Sequence, residues 1–502
     1  MQFDLSQFES YREGNRLEVK KAKGGLPQSL WESYSAMANT YGGCIVCGVG
    51  ERRDGSWYTT GLAAEDVAKL KKELWDAANN PRRVSANLLR ESDVTDYEVG
   101  GDAVLVVTVP RAPRELRPVH LNGDLMGGTF KRNWEGDYHC VPREIKAMLR
   151  EQTDETLDTG LPEERERVSN LDGDSVRAYR VRYDARHQGS AWSALPDEDF
   201  LERVGAARRA ASGELLVTRA GLLMFGQEWR ILYEYPDYFL DYREHLDPYV
   251  RWTDRIESQS GDWSGNVFDF FSRVSAKLLV DLKKPFRLEG MVRQDTTPVH
   301  DGVREALANC LVNADYLQPW SVVVEKWPDR ISLANPGTII AGREQMLRGG
   351  VSQPRNRGLF KMFNLIGVGE HAGSGVPDIL AAWDAAGYDA PVVEEQFGPD
   401  VPDRTAVMLP LVARGSGASL GASLGTSLGT NLGTGGQAVN QVERLLEYCA
   451  EPRSKGEIQA YLGISSERYV RQELIRPLLE SGELRLTIPD KPRSPNQRYV
   501  RA

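Results

Sequence analysis

Cysteine is scarce in this chain, with five residues among 502. A small, odd number in so long a chain gives no disulfide framework, and a reducing cytoplasm is its simplest home. No apolar run approaches the roughly 18 residues that a membrane-spanning helix needs. The first residues, MQFDLSQFESYREGN, are polar and acidic, unlike a secretory signal. A G-x-x-x-x-G-K-[ST] loop is also missing, which excludes a P-loop motor such as a helicase. Basic charge is in deficit: 62 Lys and Arg face 72 Asp and Glu, a net charge of -10. That argues against coating nucleic acid over the whole surface and leaves room for local basic patches. What is present, 41% apolar and 27% charged residues, fits a globular protein long enough for about three domains.

The most informative stretch is 303 to 315, VREALANCLVNAD. It puts Glu305 and Asn309 four apart on a predicted helix, and so on one face. A carboxylate and an amide so placed can reach one magnesium–phosphate group, with the carboxylate polarising a water. Taken alone, E-x-x-x-N reads better as the solvated face of an amphipathic helix. Two glycine-containing turns follow, Asn335-Pro336-Gly337 and Gly373-Ser374-Gly375, the second opening onto the apolar run VPDILAAWDAAG. The ordered set Arg304-Glu305-Ala306-Leu307, Asn309, Asn313, Asp315-Tyr316, then the two turns and Val376, resembles the ATP-binding domain of the GHKL (Bergerat) superfamily. More narrowly, it is similar to the divergent ATP-binding domain of bacterial RecG-related proteins and regulators, over roughly residues 285 to 412. The resemblance implies an α/β sandwich that binds ATP with magnesium. Glu305 would be the general base and Asn309 the magnesium ligand. Gly373, Ser374 and Gly375 would offer backbone N–H groups to phosphate at a helix N-terminus, with Asn313, Asn335 and Gly337 also in the nucleotide site. Mainstream members read the adenine amino group with an Asp in a D-x-G-x-G turn; this chain has Asn335 followed by Pro336. Hydrolysis and mere sensing of ATP both stay open.

The segment REGNRLEVKKAKGG holds Glu13, Glu18, Lys20, Lys21 and Lys23. E-x-K on a strand places Glu18 and Lys20 on one face. Metal-dependent nucleases use such a pair, the carboxylate holding a divalent ion and the lysine supporting the attacking water or the transition-state charge; a solvated strand face reads the same way. The order E-x-x-x-x-E-x-K, then Ala38-Asn39-Thr40, Gly42-Gly43 and a strand ending Gly48-Val49, resembles the Schlafen AlbA-type domain, with Val19 in place of the usual Phe. The match runs over about residues 8 to 150, and the later stretch with Lys131, Arg132 and Asp137 fits its distal part. The resemblance implies nucleic-acid binding, to which Lys21, Lys23, Lys131 and Arg132 would contribute. In members with RNase activity two glutamates five apart and a downstream aspartate hold the metal. Glu13 and Glu18 match the pair, Asp54 is the expected third ligand and Glu51 the fallback, with Lys20 beside them and Mg or Mn as the ion. Cys44 and Cys47 read as C-x-x-C, but they lie in the apolar, glycine-bounded run GGCIVCGVG. Three apart on a buried strand they point to opposite faces, as two small core residues.

The expected organisation is a multidomain α+β chain. Residues 1–150 form the Schlafen AlbA-type module, 151–284 a connector and mixed region containing the helix TRAGLLMFG, and 285–412 the ATP module. From 413 to 436 a repeat, SLGA-SLGT-SLGT-NLGT, reads as a flexible linker. Residues 437–502 read as three helices and two strands, with Ser454 capping the second helix. This order resembles a winged helix-turn-helix domain. Its third helix would present Arg468 and Arg471 to a groove, and its wing Arg485, Lys491 and Arg493 to phosphates.

Two functions follow. One is a Schlafen-like metal-dependent nuclease on RNA (tRNA in particular) or DNA, gated by ATP and suited to bacterial defence against phage. The other is an ATP-sensing, DNA-binding transcriptional regulator that cuts nothing. Both act on nucleic acid, neither on a membrane, and either fits a homo-oligomer.

Overall fold

Two aliphatic strands with β-branched alternation form the centre of the first sheet. The structure is a computed structural model that describes residues 8, 11, 13–133, 136–152, 157–247, 249–280, 282, 288–289, 292–293, 297–369, 375–397, 403–414, 445–446, 448–462, 475, 478–479, 484–487 and 497–501. The front module runs β1 (Leu17–Lys20), α1 (Ser29–Asn39), β2 (Gly43–Cys47), β3 (Val49–Glu51), β4 (Trp57–Thr59), α2 (Ala64–Ala78), β5 (Val94–Val99), β6 (Asp102–Val109), β7 (Phe130–Asn133), β8 (Gly136–His139) and α3 (Pro142–Glu151). Its main sheet has the order β1-β2-β6-β5, with β1 parallel to β2 and the other pairs antiparallel. Alternation sends Ile45, Cys47, Leu105 and Val107 to the face covered by α1 and α2. Cys44, Val46, Val104 and Val106 go to the other face, against Trp57. The two cysteines are thus buried on opposite faces, as the strand periodicity requires.

Helix α1 stops where the glycines demand it. Gly42 adopts φ +66, and its N–H returns to the Met37 carbonyl at 2.8 Å, satisfying one of the carbonyls left open at the helix end. Asn39 ties the end of α1 to the distal segment. Its amide donates to the Val119 and Phe130 carbonyls at 2.9 Å each, and its oxygen accepts from the Val119 N–H at 2.8 Å.

The rest of this unit contains α4 (Gly173–Arg186), α5 (Asp197–Val204), β9 (Ala207–Arg209), β10 (Leu215–Val217), α6 (Arg219–Phe225), α7 (Glu228–Glu234), β11 (Leu240–Glu244), β12 (Asp254–Glu257) and α8 (Val267–Leu279). It continues with β13 (Leu288–Glu289), β14 (Val292–Arg293), α9 (Pro298–Val312), β15 (Val322–Lys326), β16 (Arg330–Pro336), α10 (Arg343–Arg348), α11 (Arg357–Leu365), α12 (Gly375–Ala386), β17 (Val392–Gln396) and β18 (Arg404–Pro410). A six-stranded sheet has the order β12-β11-β15-β16-β18-β17. Only β11 and β15 pair in parallel; the other neighbours are antiparallel. Residues 151–284 are therefore more than a connector. They supply two strands of this sheet and the helix α8, and one buried core joins Phe225, Phe268 and Phe271 to Leu307, Val324 and Trp383. The pairing of β11 with β15 spans some eighty residues, so no local pattern announces it.

Helices α9 and α12 pack against each other at Gly302, where an added Cβ would meet the Trp383 ring at 2.9 Å. Trp383 is rigidly held: it is fully buried and donates its indole N–H to the Pro410 carbonyl at 2.7 Å. Gly302→Ala is expected to cost about 1–3 kcal/mol by overpacking, read as a lowered urea midpoint with an unchanged slope.

Residues 1–414 and 415–502 are separate compact units. The second holds β19 (Arg453–Ser454), α13 (Lys455–Leu462), β20 (Leu484–Leu486) and β21 (Arg498–Arg501), in an antiparallel sheet of order β19-β21-β20. Leu445, Cys449, Ile458, Ile475 and Leu484 form its core. Ser454 caps α13 as its position suggests: its hydroxyl accepts from the Glu457 N–H at 3.3 Å, and Glu457 accepts from the Ser454 N–H at 2.7 Å, a reciprocal capping box. Of the linker, only Ala413 and Arg414 are among the described residues. No described helix is long and apolar enough to cross a membrane.

Candidate nucleotide and nucleic-acid sites

Helix α9 presents Glu305 and Asn309 on one face, four residues apart, and Asn313 follows as the residue that ends the helix. They line a cavity of about 150 Å³. Asn335 at the end of β16, the loop Thr338–Ala341, Gly375 at the start of α12 and Thr405 on β18 complete its wall, with Met346, Val376, Ile379 and Val393 as apolar surface. The Asn309 amide donates to Glu305 Oε1 at 3.1 Å, so the two side chains act as a unit. Asn313 is turned inward. Its amide donates to the Asn309 carbonyl at 2.9 Å and its oxygen accepts from the Arg355 N–H at 3.3 Å. Asn335 donates to the Asn313 and Pro336 carbonyls at 3.3 and 3.1 Å.

Gly375 lies against Glu305 so closely that a Cβ there would collide with Oε1. Gly375→Ala is expected to displace the Glu305 carboxylate; on the nucleotide reading proposed below, this weakens magnesium–nucleotide binding about tenfold, ~1.4 kcal/mol, in a calorimetric titration that leaves the unfolding midpoint in place. Gly337 is absent from the cavity wall. At φ +98 it abuts the Arg355 guanidinium and lines a second cavity of about 20 Å³ with Arg117, Glu144, Glu151, Thr338 and Asp403. Gly373 and Ser374 lie outside the described residues.

In the front module, β1 carries Glu18 and Lys20 on one face, joined at 2.7 Å. The other Glu18 oxygen accepts from Arg132 at 2.6 Å, and Arg132 continues to Asp137 at 2.9 Å. Asp137 in turn accepts from the Ser33 hydroxyl at 2.6 Å. Lys131 bonds Glu144. Lys131 and Arg132, expected on a nucleic-acid face, are therefore corrected: both are buried, Arg132 at 0% exposure, because carboxylates brought from elsewhere in the chain neutralise them. Lys21 and Lys23 are exposed, on either side of Ala22, which takes the left-handed φ of 51.

Glu13 accepts from the Val19 N–H at 2.9 Å. Burial pushes its carboxyl up, opposed by that hydrogen bond, and the charges of Glu18 and Glu51 push it further. Asp54 does not join them. It is exposed in the turn between β3 and β4, where Ser56 donates to it from hydroxyl and N–H at 2.6 and 2.9 Å and holds its carboxyl below the usual range. Glu51, rather than Asp54, is the carboxylate that bears on Glu13. Among the described residues no group of three His, Cys, Asp or Glu side chains is arranged to hold a metal ion. Both Glu18 oxygens are already bonded to cations, so a divalent ion does not fit this arrangement.

Residues 13–140 match the Schlafen, AlbA_2 family model. Downstream of this Schlafen, AlbA_2 segment, residues 146–241 match a domain of unknown function. Residues 321–398 match the family described as "Putative ATP-dependent DNA helicase recG C-terminal", a segment that begins after α9 and so leaves Glu305 and Asn309 outside it. Residues 440–500 match the model "Filamentation induced by cAMP protein Fic-like, C-terminal domain". No curated protein matches the chain. Among solved structures it is similar to the DIP2311 protein of Corynebacterium diphtheriae, at 18% identity and TM-score 0.40, over 93% of this chain and 88% of that one. It is also similar to the N-terminal domain of a RecG-related protein from Nitrosomonas europaea, at 28% identity and TM-score 0.21, over 26% of this chain and 87% of that one. The Schlafen, AlbA_2 and recG C-terminal matches are the two that point to nucleic-acid-related proteins with an ATPase-like domain.

In the segment with the Fic-like match, Arg485 is exposed on β20, while Arg468, Arg471, Lys491 and Arg493 lie outside the described residues. The sequence reading missed Thr405, Arg355 and Arg111. Thr405 donates to the Gly337 carbonyl at 2.9 Å, and no spacing or composition signal distinguishes it from other strand threonines.

Proposed function

We propose that the chain is a nucleotide-responsive nucleic-acid-binding protein, with ATP and magnesium held in the cavity beside α9. The observation that carries this reading is the Glu305–Asn309 pair facing Gly375 in a cavity that Asn335 also lines. With its Nδ2 already donating to two carbonyls, Asn335 has Oδ1 to offer an adenine amino group, the role a carboxylate oxygen would otherwise serve. Asn309 would hold the ion and Glu305 would orient a water; the bound magnesium would supply charge neutralisation of the phosphates. Lys21 and Lys23 are exposed front-module cations available to a nucleic-acid backbone, and Arg485 is an exposed cation on the second unit's sheet. The test is calorimetric titration of the full chain with magnesium ATP. Asn335→Leu should abolish binding of ATP, and ATP binding that is unaffected by both Asn335→Leu and Glu305→Ala sinks the proposal.

A second reading is the metal-dependent nuclease, in a setting of defence against phage. It requires Glu18 to exchange Lys20 or Arg132 for a divalent ion, beside the charges of Glu13 and Glu51. Purified protein is incubated with tRNA and with plasmid, with and without manganese. Under the binding reading neither is cut; manganese-dependent cleavage that disappears in Glu13→Gln replaces it with the nuclease.

A further inference from the structure

Two buried carboxylates each touch the nucleotide-cavity loop on one side and a front-module arginine on the other. Glu395, on β17, accepts from the Ile339 N–H at 2.9 Å, and Ile339 lines the cavity. The same carboxylate is gripped through both oxygens by Arg111, just beyond β6 of the front module. Tyr41, near the end of α1, donates to the Glu395 carbonyl at 3.2 Å and packs edge-on to Phe397 at 4.7 Å. Glu151, the last residue of α3, meets Arg355 at 2.8 Å and Arg117 at 3.4 Å and accepts from the Thr338 hydroxyl at 3.4 Å. Arg355 donates onward to the Thr338 and Asn313 carbonyls at 2.9 and 3.1 Å.

We propose that the nucleotide cavity and the front module are one coupled unit, with Arg111 and Arg117 as positioning residues that set the cavity loop through Glu395 and Glu151. The idea rests on the nucleotide reading above and specifies how that site is regulated. A buried ion pair with bidentate geometry has few alternative arrangements. A ligand that moves Thr338 or Ile339 must therefore either strain these pairs or carry the arginines with it. Arg117 is two residues from Val119, the residue that Asn39 clasps. Movement at Arg117 thus reaches α1 and, through Ser33, the Asp137–Arg132–Glu18 chain. By linkage, whatever binds the front module alters nucleotide affinity by the same factor.

The test is hydrogen exchange on the full chain, with and without saturating magnesium and the non-hydrolysable analogue adenylyl imidodiphosphate. Expected is slowed exchange at the cavity loop, residues 338–341, and a slowing of about fivefold or more at residues 111–119. Arg111→Ala should keep the first response and bring the second below about twofold. Arg111→Lys, which keeps the charge and loses the planar fork, should fall between and covers the case in which the alanine variant fails to fold. Protection confined to the cavity loop in the wild type overturns the coupling alone. Protection nowhere overturns the nucleotide reading and the coupling with it. An Arg111→Ala profile identical to wild type removes Arg111 from the path and overturns the proposal as stated.

Discussion

Replacing Arg132 with methionine should destabilise the protein by about 3–5 kcal/mol. Arg132 has no exposed side-chain surface and lies between two carboxylates, Glu18 at 2.6 Å and Asp137 at 2.9 Å. Its Nε and Nη2 also donate to the Gly14 carbonyl at 3.1 and 3.0 Å. Among the described residues, removing the cation leaves Glu18 with Lys20 and Asp137 with the Ser33 hydroxyl, and leaves the Gly14 carbonyl with only the long 3.4 Å bond from the Leu17 N–H. The methionine stem recovers some packing but neutralises neither charge. Urea denaturation followed by tryptophan fluorescence gives the cost, with Lys21→Met as a surface control expected within about 0.5 kcal/mol of wild type. The comparison separates two roles for Arg132. A residue that contacts nucleic acid would lose affinity on mutation while the unfolding midpoint stayed put; that outcome would refute the burial argument.

Asp403→Asn should remove a pH dependence of stability that the wild type shows between about pH 4 and 7. Burial pushes the Asp403 carboxyl up to about 7; the nearby Lys131 and Arg117 charges pull it down and those of Glu144 and Glu151 raise it. Its Oδ1 has no hydrogen-bond partner among the described residues. In the unfolded chain the group ionises near 3.8. Because the folded value is the higher one, the native state favours the proton: this contribution is fully present below the unfolded value and is lost as pH rises to about 7. From pH 5 to 8 the wild type should therefore lose about 2–3 kcal/mol that the asparagine variant retains. Parallel denaturation curves at the two pH values for both proteins decide it. Equal losses in wild type and variant would mean that Asp403 is ionised and satisfied in the folded protein.

Much of the local architecture was legible because it depends on periodicity. The strand GCIVC places Cys44 and Cys47 in different cores because a pleated strand alternates its side chains. Gly42 stops α1 because only a residue free to adopt positive φ closes that turn without strain. Ser454 caps α13 for the reason serine caps helices, and Glu305 and Asn309 share a face because 3.6 residues make a turn. Lys131 and Arg132 were misread for the opposite reason. Phe130–Asn133 reads FKRN, a polar strand fit for solvent. Yet Lys131 and Arg132 each meet a carboxylate from another element, Glu18 lying 114 residues away from Arg132. Arg111 and Glu395 are 284 residues apart.

By itself the sequence determined the strands and helices, their buried faces, the absence of a P-loop and the two glutamate-bearing segments around which chemistry could gather. Those properties are set by each residue's own backbone preferences and by neighbours within a few turns. Only the tertiary structure decided which charges face solvent. It put Arg132 in the interior, left Asp54 exposed in its turn, drew residues 240–279 into the six-stranded sheet and its core and joined Glu395 and Glu151 to arginines of the front module. The reason is dielectric: a charge removed from water must find an opposite charge or a hydrogen bond wherever the fold places one, and that partner's position along the chain is not constrained by any local rule.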